Sequence, residues 1–156
     1  MTANASNRKT IRKRIVTHFN ADLVGTGLPV VAVYSFDKRD FKGQSPVVLV
    51  LSNGSLRMPF GLGSELYGSA MRFSVILFVR EADDSEGWTA ENVEDALDDN
   101  EKAIADSVMN HQKDPGYWTK MMLDENEVSE ILPALVGGVS YKMEILTVLV
   151  EVYDGA

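Results

Sequence analysis

Apolar residues recur at every fourth position near the start of the chain, which predicts an amphipathic helix over residues 6–24. Ser6 or Asn7 can act as its N-cap by accepting a hydrogen bond from a free amide of the first turn. The helix is expected to end near Gly25, and Pro29 then favours extended chain. The apolar stripe consists of Ile11, Ile15, Phe19 and Leu23.

Four later stretches are rich in β-branched and aromatic residues, and each predicts a strand. Residues 30–36, VVAVYSF, are nearly apolar on both faces, which favours a central strand. Residues 46–52, PVVLVLS, begin with the proline, where a missing amide does least harm. Residues 70–81, AMRFSVILFVRE, alternate between two faces, and one of these is expected to be covered only at its centre. Residues 140–154, SYKMEILTVLVEVYD, predict a further central strand.

A second helix is predicted from Thr89, a plausible N-cap, because the residues that follow are apolar on one side only. The pattern between residues 111 and 138 is weaker. Residues 117–123 and 128–135 favour short helical turns, although Pro133 fits poorly in the second.

The predicted order is α-β-β-β-α-(short α)-β, and three strands in succession without helices indicate an antiparallel meander. We therefore expect one α+β domain over residues 1–156. Its antiparallel or mixed sheet has about four main strands, with the N-terminal helix and the long helix packed on one face. A chain of 156 residues with 45% hydrophobic content suits one such core.

Composition excludes several classes of protein. The formal net charge of −8 disfavours a general nucleic-acid binder. The chain has no cysteine, so it forms neither disulfides nor thiolate metal sites. The first residues show no secretory signal, and no stretch approaches the roughly 20 apolar residues of a membrane span.

Five basic residues are concentrated in one short part of the first helix. Such a run is most often the solvated face of a helix, but it also suits contact with an acidic partner surface or with passing DNA. These residues are Arg8, Lys9, Arg12, Lys13 and Arg14.

No catalytic or metal-binding motif is recognised. The acidic run before Gly87 fails as a calcium loop, because Ala82 and Val93 take positions that need carboxylates. His18 and His111 are not expected to build a zinc site on one helix face. Hydrolase elbows are absent as well, so we expect neither enzymatic activity nor a cofactor.

Residues 53–69, NGSLRMPFGLGSELYGS, form a long glycine-rich connection between two predicted strands. The connection lacks the lysine, the third glycine and the following helix of phosphate-binding loops. A partner contact through an extended hairpin is preferred over packing on the chain's own sheet or disorder. The residues proposed for this contact are Leu56, Arg57, Met58, Phe60, Leu62, Leu66 and Tyr67.

Several features in their order along the chain carry a resemblance to a known family. They are the basic N-terminal helix, the strand PVVAVY at 29–34, the arginine-bordered strand RFSVILFV, the long acidic helix and the terminal strand YKMEILTVLVEVY. Together they resemble the tail terminator, or tail completion, proteins of long-tailed bacteriophages.

The resemblance implies a structural virion protein without a cofactor, at the head-proximal end of the tail. Such subunits assemble in the host cytoplasm as a homo-oligomeric ring, commonly a hexamer. The ring caps the tail tube, stops its polymerisation and joins the head, so the implied partners are the tube protein and head–tail connector proteins. DNA passes through without specific binding, and no membrane is involved.

Two alternatives remain open. One is another head–tail connector or a tube-like subunit of a phage or prophage. The other is a small-molecule-binding α+β module in which Tyr117 and Trp118 line a pocket.

Overall fold

The computed structural model describes residues 7–59 and 67–153. The first helix, α1 (Arg8–Leu23), begins after Asn7, whose side chain accepts a hydrogen bond from the Lys9 amide at 2.8 Å. Asn7 thereby satisfies one of the free amides of the first turn. The four residues of the predicted stripe are all buried, so both the helix and its inward face are confirmed.

The described part of the chain folds as an α+β domain with a mixed sheet of six strands, where we expected about four. β1 pairs with β2 in parallel, and all other pairs are antiparallel. β3 occupies one side of β6 from Tyr141 to Tyr153, so β4 and β5 lie in succession on the other side of β6. The strands are β1 (Ala32–Tyr34), β2 (Val47–Pro59), β3 (Tyr67–Arg80), β4 (Lys120–Leu123), β5 (Glu130–Val136) and β6 (Val139–Tyr153).

The expectation that residues 30–36 form a central strand is wrong. β1 is only three residues long and is the terminal strand of the sheet. Its sequence is apolar on both faces because Val33 packs in the core with α1, whereas Tyr34 packs in a second cluster on the other side. The parallel pairing of β1 with β2 also excludes a meander of the first three strands.

The two short helical turns predicted between residues 117 and 135 are strands β4 and β5. Gly137 and Gly138, with φ of 57° and 79°, link β5 to β6 through a two-residue turn. Positive φ at both positions is the requirement of a type I′ hairpin turn, and this signal outweighs the helical pattern. Pro133 is tolerated because β5 is an edge strand.

The second helix, α2 (Ala90–Asn110), begins as predicted after Thr89, whose hydroxyl accepts a hydrogen bond from the Asn92 amide at 3.2 Å. A short 3₁₀ turn, Asp84–Glu86, precedes it. Buried residues of α1 and α2 belong to one hydrophobic cluster with alternate residues of β2, β3 and β6. A smaller cluster around Phe41, Phe78 and Tyr141 covers the opposite side of the sheet.

Much of the segment expected to be a long connection, residues 53–69, is paired strand. β2 continues to Pro59 and β3 begins at Tyr67, after a bulge at residues 53 and 54. β6 extends this part of the sheet, because Tyr153 pairs with Gly68. The hairpin is therefore a continuation of the sheet in its described part, and only residues 60–66 lie outside the description.

Candidate functional site

Polar side chains from α1 meet the C-terminal end of α2 and the turn that follows it. Contacts run in opposite directions along the two segments: residue 22 lies against 107 and 111, residue 18 against 111, and residue 14 against 114. We call this group the junction cluster. Its members are Arg14, His18, Asp22, Ser107, His111 and Asp114.

Asp114 is the most buried carboxylate of the junction cluster. Arg14 Nε donates to its Oδ2 at 2.7 Å, and His18 Nε2 lies 2.7 Å from the same oxygen. An ionised carboxylate only accepts hydrogen bonds, so the histidine nitrogen is the donor. Burial, the largest single influence, raises the pKa of Asp114, but the hydrogen bonds and charges of Arg14 and His18 outweigh it and lower the pKa.

Asp22 forms a second group beside the first. Its Oδ2 accepts a hydrogen bond from the Ser107 hydroxyl at 2.7 Å and lies 2.9 Å from His111 Nε2. Burial again raises its pKa, whereas Ser107 and the two histidines lower it more, so the net shift is downward. The rings of His18 and His111 stack with centroids 3.7 Å apart, which joins the two groups.

The junction cluster has the residue types of acid–base catalysis, but its groups are bound to one another. Asp114 is engaged by two donors, and Trp118, which lies edge-on to His18, donates its indole N–H to the His111 carbonyl at 2.8 Å. Within residues 7–59 and 67–153, no three His, Asp or Glu side chains are placed to hold a metal ion. The arrangement therefore ties α1 to the end of α2.

The sequence contains a signal for this cluster that our reading of the histidines overlooked. Asp22 follows His18 by four residues, and Asp114 follows His111 by three. Each carboxylate thus has the sequence spacing from its histidine that two metal ligands on one helix face would have. In the structure, however, each histidine pairs with the carboxylate of the other segment. These pairs between segments form because the fold brings α1 and the end of α2 together, which the sequence alone does not show.

The five basic residues of α1 have different environments. Arg8, Lys9 and Lys13 are exposed, and no salt bridge involves them among the described residues. Arg12 donates to the Ser52 hydroxyl at 3.1 Å, and Arg14 is bound to Asp114. Three of the five are thus available to a partner.

Tyr117 and Trp118, the aromatic residues of the pocket alternative, are separated by the fold. Trp118 is buried in the main cluster. Tyr117 lies under the Arg14 guanidinium, 4.3 Å from its ring centroid, and borders a shallow depression with Lys9 and Lys13. The depression is cationic and open, unlike the dry apolar pocket expected of a metabolite-binding module.

The residues proposed for the hairpin contact are described only in part. Leu56 is 57% exposed, and Arg57 donates to the Ser69 hydroxyl at 3.3 Å across the β2–β3 pair. Met58 and Tyr67 lie at the far end of the paired strands, and only their backbone is described. Phe60, Leu62 and Leu66 lie outside the described residues.

Two apolar surfaces that the sequence reading missed lie at opposite sides of the sheet. The β1 edge consists of Leu28, Val31 and Phe36, next to the terminal strand. The β5 edge consists of Val128, Ile131 and Leu135, on the other side of β6 from β3. Six of the nine large apolar side chains exposed in the described part of the chain belong to these two edges.

Geometry explains the exposure of the β5 edge. Ile131 and Leu135 lie on one face of β5, whereas Ala134 and Val136 lie on the other face and pack in the smaller cluster. Alternate residues of one strand therefore serve the chain's own core and an uncovered surface.

No helix in the described ranges is long and apolar enough to cross a membrane. Comparison with known proteins places the chain in no family: no protein-family model matches it, and no curated protein shows significant sequence similarity to it.

Proposed function

We propose that the chain is a structural subunit that assembles head to tail into a closed ring, as the resemblance to phage tail terminators implies. In this proposal the ring caps the end of a tail tube, stops its growth and joins it to the head. It acts in the virion through protein contacts with the tube and the head–tail connector, without catalysis or a cofactor.

The observation that carries the proposal is the pair of apolar edges on opposite sides of one sheet. Large apolar groups that gather on a protein surface often mark partner contacts, and three exposed apolar side chains lie close in sequence at each of these two edges. The β1 and β5 edges differ in composition and position: the first flanks the terminal strand β1, and the second lies on and just before β5, which pairs only with β6 among the described strands. A contact between different surfaces of identical chains is heterologous, and it gives a ring when the rotation between copies closes.

The β2–β3 hairpin supplies a third surface in this proposal. Leu56 is exposed on it, and β6 pairs with β3 along the described part of the hairpin as far as Gly68. A stiff extension of the sheet suits a contact along the ring axis, toward the tube or the connector, because it is held in place before binding.

The test is the mass of the purified protein in solution, followed by negative-stain microscopy. We expect one defined mass, a small multiple of 17.2 kDa, and closed rings in the micrographs. Filaments would favour the tube-like alternative, since the same heterologous contact grows without limit when the rotation does not close. A monomer at every concentration would contradict the proposal.

A further inference from the structure

The two helices of the domain carry opposite charge. α1 has five basic residues and one acidic residue, whereas α2 has seven acidic residues and one basic residue. The formal net charge of −8 thus conceals a strongly divided surface.

The fold keeps these charges apart within one chain. α1 meets α2 near residues 22 and 107, and the two helices run away from that contact in opposite directions. Lys13 precedes residue 22 by nine positions, and Asp98 precedes residue 107 by nine. At 1.5 Å per residue, each lies about 13 Å from the contact. Their separation therefore exceeds the Debye length of about 8 Å at physiological salt.

Like charges also repel one another within the basic face of α1 and within the acidic face of α2. Lys9 and Lys13 are four residues apart on α1, as are Asp95 and Asp99 on α2, and all four side chains are exposed. Like charges at this spacing slightly destabilise a helix. No salt bridge involves any of the four in the parts of the chain that the structure describes. A partner of opposite charge would relieve this repulsion.

We infer that the basic face of α1, Arg8, Lys9 and Lys13, docks on the acidic face of α2, Asp95, Asp98 and Asp99, of the next copy of the chain. The inference rests on the proposed head-to-tail assembly and adds the charged helix faces that meet in its contact. α1 packs against β1 and β2, whereas α2 packs against β3 and β4, so the two faces lie toward different sides of the sheet. A neighbour that joins the β1 edge to the β5 edge brings unlike helices together.

Charge complementarity of this kind directs association and suppresses wrong pairings. Two like edges would bring two basic or two acidic helices together, so the helices disfavour symmetric dimers and favour the ring.

The experiment uses two full-length reversal variants, Lys9→Glu/Lys13→Glu and Asp95→Lys/Asp99→Lys. Sedimentation velocity over a range of concentrations at 50 mM salt measures assembly. We expect each variant alone to need at least a tenfold higher concentration than the wild type, and an equimolar mixture of the two to associate at a concentration at least tenfold lower than either variant alone. The mixture succeeds because each reversed helix meets a helix of opposite charge on the other variant.

Three control variants separate this contact from general charge effects. The Lys9→Arg/Lys13→Arg and Asp95→Glu/Asp99→Glu variants keep both charges and should assemble normally. The fourfold reversal keeps the net charge of −8 and should also assemble. Circular dichroism checks that every variant is folded.

The possible outcomes distinguish the inference from the proposed ring. A wild-type ring that both reversal variants form equally well would overturn the helix contact alone, as would a mixture that associates no better than either variant by itself. A wild-type chain that stays monomeric would overturn the ring and the inference together.

Discussion

The junction cluster and the sheet edges differ in whether groups that are costly in their surroundings have partners within the chain. In the junction cluster, charged side chains from distant parts of the chain satisfy one another, as Arg14 and His18 do on Asp114. At the edges, large apolar side chains such as Leu135, which is 73% exposed, and Phe36, which is 55% exposed, have no comparable cover.

The difference indicates where function resides. Groups that are paired inside the chain have a sufficient structural reason to be there, because buried charges need partners. Apolar groups left at the surface lack such a reason, and a partner provides one. Stability is therefore expected to depend on the junction cluster and assembly on the edges. Each prediction below tests that division.

The largest effect is expected from Ile131→Asp/Leu135→Asp on the β5 edge. Burial of each side chain in an interface contributes about 1.5–3 kcal/mol, so losing both should weaken assembly by a hundredfold or more. Light scattering should show a monomer at concentrations where the wild type forms rings. Because both side chains are mostly exposed in the monomer, the melting temperature of the variant monomer should barely change.

Glu130→Gln provides the control for this edge, because Glu130 is exposed on the same strand. It should assemble normally. If the double variant still forms rings, the edges are not the interface, and the comparison with the junction cluster loses its basis.

The converse variant, Asp114→Ala, should destabilise the fold and leave assembly intact. Removal of the carboxylate leaves Arg14 and His18 without their shared acceptor, and hydrogen bonds to charged groups contribute about 1.5–3 kcal/mol. Urea unfolding should show a loss of that size. Below its melting temperature the variant should still assemble. Asp22→Asn, at the more exposed carboxylate, should cost less, since Ser107 and His111 keep an oxygen acceptor.

Acid should affect the junction cluster through the same two carboxylates. Both have a folded-state pKa below the unfolded value of about 3.9. Their contribution is therefore complete above that value and is lost as pH falls through the folded-state pKa. The free energy of unfolding should decline below about pH 4, and more steeply in the wild type than in an Asp22→Asn/Asp114→Asn variant. Parallel pH curves would show that these carboxylates are not the source.

Sequence reasoning predicted the parts of the fold that depend on local patterns. Both helices, the cap at Thr89 and the long terminal strand follow from periodicity and capping chemistry, and Asn7 was one of the two caps expected for the first helix. Which strands pair with one another was harder to predict. The terminal position of β1 and the placement of β4 and β5 beside β6 depend on contacts between distant residues, and an apolar edge strand resembles a central one in sequence.

The candidate surfaces show the same limit. The basic run of α1 was evident as a group in the sequence. Only the structure shows that Lys9 and Lys13 are exposed whereas Arg14 is bound to Asp114. The β5 edge was hidden because residues 128–135 were assigned to a helical turn. The dipeptide Gly137–Gly138 was the signal that could have corrected this assignment.

A smaller effect, on stability alone, is expected from substitutions in the turn that joins β5 to β6. Both glycines have positive φ, which costs other residues about 1–2 kcal/mol. A Cβ at Gly137 would also collide with the Asp40 carboxylate, whereas a Cβ at Gly138 meets open space. Gly137→Ala should therefore lower the melting temperature more than Gly138→Ala. Equal losses would show that Asp40 moves aside freely.

The smallest effect is expected from Leu56→Ser on the β2–β3 hairpin. A deletion through residues 56–59 would remove strand pairs with β3, so a point substitution is the cleaner test of this surface. Leu56 is already largely exposed, and its replacement should leave the melting temperature unchanged. If the hairpin contacts the tube or the connector along the ring axis, rings should still form, but their affinity for that partner should fall about fivefold, as expected for about 1 kcal/mol. Weaker ring formation would instead place the hairpin between neighbouring subunits, and binding equal to that of the wild type would exclude Leu56 from the contact.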